Sequence, residues 1–333
     1  MKAIVYRNYG SPDVLSCEEI ARPAPGDNEI LIKVRAASVN PMDWKLMKGG
    51  PLAFRLLLSL FQPKVKRPGV DVAGQVEAVG RNITRFRPGD EVFGTCRGAF
   101  AEYACISAKA SVLKSVLVAK PTGITFEQAA SVPIAALTAL QGLRDKGRIQ
   151  PGQKVLINGA AGGVGTFAVQ IAKSFGAEVT AVCSTKNLGL VRSIGADHVV
   201  DYTREDFTTG AVQYDVIFDC ISNHSLSALR RILTPKGILV MVGGGDSEGL
   251  LVLLARLVKA LVLSQFASQK LVTFIAKSTE EDLTILAELM AAGKVTPVID
   301  RCYLLPEAPD AFRYAEQGHV RGKVVIRLEG TTA

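Results

Sequence analysis

One stretch constrains this chain more than any other: Lys154-Val-Leu-Ile-Asn-Gly-Ala-Ala-Gly-Gly-Val-Gly165. Val155-Leu156-Ile157 is a short apolar run, the pattern of a strand buried on both faces of a parallel sheet. Small residues follow at Ala160, Gly162 and Gly165, and residues 166–175 then read as a helix. The spacing Ala160-x-Gly162-x-x-Gly165, set between strand and helix, fits a dinucleotide fingerprint with alanine in the first glycine place. The residue types have a physical reason: the backbone must turn sharply and come close to a pyrophosphate. The helix N-terminus, through Gly163, Val164 and Gly165, offers that anion unpaired N–H groups and a partial positive charge.

The rest of the chain divides around this stretch. With 333 residues it is long enough for two domains. Residues 1–120 carry short β signals, over 2–6, 29–36, 70–79, 91–94 and 100–104. Turns such as Pro23-Ala-Pro-Gly26 and Arg87-Pro-Gly-Asp90 separate them. This predicts an all-β unit, a partly open barrel or sandwich. After Pro121 the pattern changes. Thr125 opens a helix with Gln128 in the capping-box position, and a second helix is expected over 135–144.

From Lys154 onward strands and helices alternate. Strands are expected at 155–157, 178–183, 198–201, 215–219, 238–242 and 271–274. Helices fit at 166–175, 188–194, 225–233 and 251–263. Repeated strand–helix units predict a doubly wound parallel sheet, an α/β architecture. A helix over 282–292 leaves the sheet, another covers 310–316, and a strand over 323–328 rejoins the first domain. A cleft is expected between the two domains.

Composition excludes several functions. The formal charge of +8, from 39 basic and 31 acidic residues, is dispersed. Its small clusters, Lys64-Lys66-Arg67 and Arg230-Arg231, form no long basic tract, so nucleic acid is not an expected partner. The six cysteines contain no CxxC pair and read as reduced thiols of a cytoplasmic protein. Residues 1–6 read as a strand and not as a signal peptide. The apolar stretch 250–266 is interrupted by Arg256, Lys259 and Gln265, which excludes a transmembrane helix. Three readings of it stay open: a helix covering the sheet or a dimer surface, a wall of a greasy substrate pocket, or a peripheral membrane contact.

The expected cofactor is NADPH. An NAD site places an acid about 20 residues past the glycines. Here the second strand ends Val182-Cys183-Ser184-Thr185-Lys186-Asn187, with two hydroxyls, an ammonium and no acid. That set suits a 2′-phosphate. Tyr202, after the third strand, is placed to pack over the adenine end.

Four motifs together resemble the medium-chain dehydrogenase/reductase superfamily: Gly69-Val-Asp-Val-Ala-Gly74, Arg87-Pro-Gly-Asp-Glu-Val-Phe-Gly94, Gly98-Ala-Phe-Ala-Glu-Tyr103 and Asn158-Gly-Ala-Ala-Gly-Gly-Val-Gly165. Within it the chain looks like the zinc-free quinone oxidoreductase branch, with its zeta-crystallin-like and alkenal/enone reductases. The resemblance implies a GroES-like β-barrel catalytic domain over 1–121 and 294–333, and a Rossmann nucleotide domain over 122–293. It also implies a homodimer through the nucleotide domain.

The departures from the zinc enzymes of this superfamily are informative. Those carry Gly-His-Glu where this chain has Gly69-Val70-Asp71, and a cysteine ligand near Asn40. Valine cannot ligate a metal, and an amide is a poor zinc ligand. Cys96 and Cys105 cannot supply the four cysteines of a structural-zinc lobe. His198, His224 and His319 lie far apart in sequence. The expected protein therefore holds no metal.

Without zinc to polarise an alcohol, the favoured chemistry is hydride transfer to a quinone or an α,β-unsaturated carbonyl. In the resembling enzymes the segment Asn40-Pro41-Met42-Asp43-Trp44-Lys45 faces the nicotinamide, often with tyrosine near the place of Lys45. Asn40 is thereby a candidate to orient substrate or the nicotinamide ribose, and Lys45 to donate to the carbonyl oxygen or touch the cofactor. Thr138 matches a position near the nicotinamide. Gly243 and Gly244 follow the fifth strand and Cys220 ends the fourth, all on the cofactor edge of the sheet. The alternatives are a zinc-free NADP-dependent alcohol dehydrogenase and a non-catalytic NADPH-binding protein.

Overall fold

A computed structural model of the chain describes residues 1–49, 67–107, 115–242 and 268–328. In chain order these form β1 (Lys2–Val5), β2 (Ser16–Glu19), β3 (Glu29–Ser38), helix α1 (Pro41–Met47), β4 (Asp71–Val79), β5 (Glu91–Thr95), β6 (Tyr103–Ser107) and β7 (Val116–Ala119). Next come α2 (Phe126–Ala130), α3 (Pro133–Gln141), β8 (Lys154–Asn158), α4 (Gly163–Ser174), β9 (Glu178–Cys183), α5 (Leu188–Ser193), β10 (His198–Asp201), β11 (Tyr214–Asp219), α6 (Leu226–Arg231), β12 (Leu233–Met241) and β13 (Lys270–Thr273). The chain closes with α7 (Glu280–Ala291), β14 (Ile299–Leu304), α8 (Ala308–Glu316) and β15 (Lys323–Arg327).

The chain packs as two compact units: 1–137 with 277–293 and 297–333, and 138–276 with 294–296. The first is built on β3. Along one edge β3 pairs antiparallel with β4, from Ile30 opposite Val79 to Ser38 opposite Asp71. Its other edge is shared, with β6 pairing over Glu29 to Lys33 and β15 over Ala36 to Ser38. Ten residues at about 3.3 Å each are long enough to serve two partners in series. The sheet order is β14-β15-β3-β4-β5-β7, with β6 attached to β3. Its core holds Ile4, Ile32, Met47, Phe100 and Phe312. Phe312 of α8 meets Phe100 edge-on, with ring centroids 5.8 Å apart.

The second unit is a wholly parallel sheet in the order β10-β9-β8-β11-β12-β13. Val155, Leu156 and Ile157 are fully buried on its central strand, as a strand covered on both faces requires. The chain leaves β8 toward β9 on one side and returns to β11 on the other. The strand ends between β8 and β11 are therefore the topological switch point of the sheet.

The division by packing differs from the one expected from sequence. Helices α2 and α7 fall in the first unit, α2 packing on β3, β4 and β5, and α7 on β7. The sequence changes from β to α character at Pro121, but the packing partner does not change there. Residues 294–296 belong to the second unit because Thr296 and Gln170 exchange two hydrogen bonds, of 2.7 and 3.0 Å. The strand expected over 100–104 begins instead at Tyr103, with only an isolated bridge from Ala101 to Ala3. The helix expected over 225–233 is shorter, because Leu233 already starts β12. Thr125 caps α2 with Gln128 in a reciprocal capping box, as expected.

Candidate functional site

The fingerprint forms a tight turn at the carboxyl end of β8. Gly159 takes φ +82°, a conformation that L side chains rarely adopt. The Ala160 N–H donates to the Val182 carbonyl at 3.0 Å, tying the turn to β9, and the Gly162 N–H donates to the Gly159 carbonyl at 3.1 Å. Gly162 is the N-cap of α4 and supplies no side-chain cap, and the first turn of α4 carries no acid. The N–H groups of that turn have no carbonyl of their own helix to reach.

The glycines play different parts. A Cβ at Gly165 would lie 2.1 Å from the Gly159 carbonyl oxygen, so this position allows the helix to seat against the turn. A Cβ at Gly162 would meet only that oxygen, at 3.4 Å, and otherwise project into open space. This open side lies beside uncapped helix N–H groups, an arrangement that favours an anion. The sequence reading singled out Gly162 to Gly165 but missed Gly159. Its signal was present, as the glycine directly after the polar end of the strand.

The ends of β9 and β10 form the adjoining surface. Ser184 is half-buried there, while Thr185 and Lys186 are exposed. Tyr202 is a large exposed hydrophobic residue, with its N–H anchored on the Cys183 carbonyl at 3.2 Å. The sequence shows no acid at the end of β9, but the sheet brings one from β10, and this corrects the expected environment. The Thr185 hydroxyl donates to Asp201. Thr203 adds its backbone N–H at 3.0 Å and its hydroxyl at 2.7 Å. These bonds, that of Thr185 foremost, hold the Asp201 carboxyl below the usual carboxylate range. Thr185 therefore shapes the turn with its hydroxyl hydrogen. Ser184, whose hydroxyl oxygen accepts from the Asn187 amide at 3.2 Å, and the exposed Lys186 lie beside it on the same segment.

Cys220 follows β11 on the same edge. Burial, and then the neighbouring Asp219 charge, push its thiol well up, the opposite of an activated nucleophile. Thr138 is partly buried on α3. Gly243 and Gly244, and the apolar stretch 250–266, lie outside the described residues.

In the first unit Asn40 is the N-cap of α1 and is buried. Its amide is engaged on both sides. Lys323 Nζ donates to Oδ1 at 2.6 Å, while Nδ2 donates to Asp71 at 2.8 Å and toward the Ser38 carbonyl at 3.4 Å. Asp71 also accepts from the Ser38 hydroxyl at 2.8 Å and from the Ile134 N–H at 3.0 Å. Lys323 Nζ lies 3.6 Å from the same carboxylate. Asp43 accepts the Asn40 N–H at 2.8 Å and the Gly69 N–H at 3.2 Å.

Burial lifts Asp71 above its usual range and pulls Lys323 below its own, while their mutual attraction opposes both shifts. For Asp43 burial outweighs the two N–H donors and raises the carboxyl to about 7. The structure thus joins Asn40 to Ser38, Asp71 and Lys323, none of which the sequence reading assigned to the site. Lys45 is exposed on α1, the helix that Asn40 and Asp43 cap. Both amide atoms of Asn40 thus have protein partners, and Asn40 also stands at the N-cap of α1.

Among the described residues no three His, Cys, Asp or Glu side chains converge as a metal site, and no helix is long and apolar enough to cross a membrane. A depression of about 380 Å³ on the first unit is lined by Arg85, Phe86, Glu91 and Lys120. Both its cations are paired, Arg85 with Glu280 and Lys120 with Glu91.

The alcohol dehydrogenase GroES-like domain family matches residues 26–116, and the zinc-binding dehydrogenase family matches residues 194–326. A chloroplastic quinone oxidoreductase of Triphysaria versicolor is 34% identical, over 98% of this chain and 98% of its own. A chloroplastic NADPH-dependent alkenal/one oxidoreductase of Arabidopsis thaliana is 35% identical, over 98% of this chain and 79% of its own. The solved quinone oxidoreductase from Coxiella burnetii superposes with a TM-score of 0.84 at 30% identity, covering 99% of each chain. The two units are accordingly a GroES-like unit and a Rossmann unit, and the chain belongs to the medium-chain dehydrogenase/reductase superfamily, in its zinc-free quinone oxidoreductase branch.

Proposed function

We propose that this chain is a cytoplasmic, homodimeric reductase that uses NADPH to reduce quinones or α,β-unsaturated carbonyls without a catalytic metal. The observation that carries the reading is the open-sided turn from Gly159 to Gly165. It offers uncapped helix N–H groups beside a position where a Cβ would meet only one atom. The N–H groups of Gly163 to Gly165 would hold the diphosphate. Ser184 and Lys186 would take the 2′-phosphate, and Tyr202 the adenine face. The relatives named for quinone and alkenal/one reduction support the substrate class.

NADPH, when bound, supplies a hydride. The protein's part is orientation and charge stabilisation. Two-electron reduction places the hydride on an electrophilic carbon and a proton on the conjugated oxygen. Lys45, exposed on α1, is the candidate donor to that oxygen. Asp43 and Asn40 cap α1 and so fix where Lys45 starts from. At the positions where zinc enzymes of the superfamily carry metal ligands, this chain has Asn40 bonded to Lys323 and Asp71.

Stopped-flow oxidation of NADPH against a panel of quinones, enals, enones and simple alcohols tests the reading. Turnover is expected with quinones or conjugated carbonyls and not with alcohols. NADPH oxidation by no member of the panel, or alcohol turnover at matching rates, would overturn it.

A further inference from the structure

Asp219 is the last residue of β11, in register with Asn158 of β8 on one side and Met241 of β12 on the other. It is only 1% exposed. Its two carboxylate oxygens are loaded very unequally. Oδ1 accepts three hydrogen bonds, from Asn158 Nδ2 at 2.9 Å, the Ile221 N–H at 3.1 Å and the Ser222 N–H at 2.9 Å. Oδ2 is buried and has no partner. A buried carboxylate oxygen without a donor is costly, and in native structures such an atom usually has an explanation.

The surroundings point to a ligand. Ser222 is held at φ +61°, an uncommon conformation for a residue other than glycine. Ile221, beside it, is 48% exposed. Asn158 spends its other amide hydrogen on Asn223 at 3.0 Å, so the two strand ends and the following turn form one bonded unit. That unit lies at the switch point, where open α/β sheets take their ligands. The strand order also says which part of a ligand arrives there. If β9 and β10 take the adenine end and α4 the diphosphate, the remaining half of a dinucleotide crosses toward β11.

We propose that Asp219 Oδ2 is a cofactor-binding atom, accepting a hydrogen bond from an uncharged donor on the nicotinamide riboside half of the dinucleotide. The donor is a ribose hydroxyl or the carboxamide N–H. This rests on the dinucleotide-binding reading above and adds to it a residue for the reacting half. The same carboxylate serves two ends, with Oδ1 shaping the turn and Oδ2 meeting the ligand.

The Asp219→Asn variant separates the two tasks, because its remaining oxygen can keep the three Oδ1 bonds while Oδ2 becomes an amide. Calorimetric titration of the full chain with NADPH and with adenosine 2′,5′-bisphosphate provides the test. The variant is expected to bind NADPH about tenfold more weakly, the loss of one hydrogen bond to a charged group. Its affinity for the bisphosphate, which lacks the nicotinamide half, should be unchanged. Equal weakening of both ligands would mean a structural role only, and no change in either would mean that the ligand needs no acceptor oxygen at this place. Both outcomes overturn the proposal. Failure of the wild-type protein to bind either ligand would instead overturn the dinucleotide reading itself.

The 3-acetylpyridine analogue of NADPH, which has no carboxamide N–H, identifies the donor. A variant that binds it as tightly as wild type assigns the carboxamide, and a retained tenfold loss assigns the ribose. Should the variant not fold, wild-type protein answers alone. Either this analogue or NADPH deoxygenated on the nicotinamide ribose must bind more weakly than NADPH. Undiminished affinity for both would refute the contact.

Discussion

Lys323 and Asn40, 283 residues apart in sequence, meet in a hydrogen bond of 2.6 Å inside the first unit. The ammonium at the start of β15 donates to the amide oxygen at the N-terminus of α1. It is buried, and the carboxylate it faces, Asp71 at 3.6 Å, is buried too. The contact fastens the last strand of the unit to the helix that carries Lys45.

Replacing Lys323 by methionine should leave the buried Asp71 carboxylate without its counter-charge. Removing one partner of such a pair costs about 3–5 kcal/mol. Urea unfolding is expected to show that loss for Lys323→Met. The double variant with Asp71→Asn should recover part of it, since the orphaned charge is then gone. A Lys323→Met variant as stable as wild type would show that the ammonium contributes no net stability.

Asp43 gives the protein a stability that depends on pH. Its folded-state value of about 7 lies above the ordinary carboxylate value of 3.8, so the fold favours the protonated acid. Its contribution is fully present below pH 3.8 and is lost as pH rises through about 7. Wild type should therefore lose stability relative to Asp43→Asn between those values, with a slope approaching about 1.4 kcal/mol per pH unit. Paired unfolding titrations across the window measure the difference directly, and parallel curves would contradict the raised value.

Two glycines of the fingerprint should respond oppositely to alanine. At Gly165 the new Cβ would meet the Gly159 carbonyl oxygen at 2.1 Å, a backbone atom that cannot swing away. Overpacking of this kind costs about 1–3 kcal/mol or more, visible as a lowered Tm without any ligand. At Gly162 the new methyl would point into open space. Gly162→Ala should keep its Tm and yet bind NADPH about tenfold more weakly or worse, because the methyl occupies the diphosphate's approach.

Lys186 is the side chain expected to read the 2′-phosphate. Its loss should remove one charge-assisted contact, about 1.5–3 kcal/mol, from NADPH and none from NADH. Lys186→Ala should thus weaken NADPH by roughly 10–100-fold and leave NADH within about twofold. Equal effects on the two cofactors would assign the phosphate to another group.

The exposed Lys45 gives a kinetic prediction. If it donates to the developing oxygen charge, Lys45→Met should lower kcat by about 10²-fold, typical of losing one such donor. NADPH affinity should stay the same. A KM increase at constant kcat would assign Lys45 to substrate binding only.

The sequence alone determined the parts whose physics is local. An apolar triplet, small residues at fixed spacing and a following helical period led to the strand–turn–helix of 154–175 and to the parallel sheet around it, because buried strands and pyrophosphate turns restrict residue type within a dozen positions. The capping box at Thr125 and Gln128 was legible for the same reason. Tertiary structure alone decided the contacts whose partners are distant in sequence. Asp201 reaches Thr185 only because β10 lies beside β9, Lys323 reaches Asn40 only because β15 pairs with β3, and Asp219 faces Asn158 only because β11 lies against β8. Each of these polar groups looks like an ordinary surface residue in the sequence. Its meaning comes from burial and from the partner that burial demands, and neither is encoded within a window of neighbouring residues.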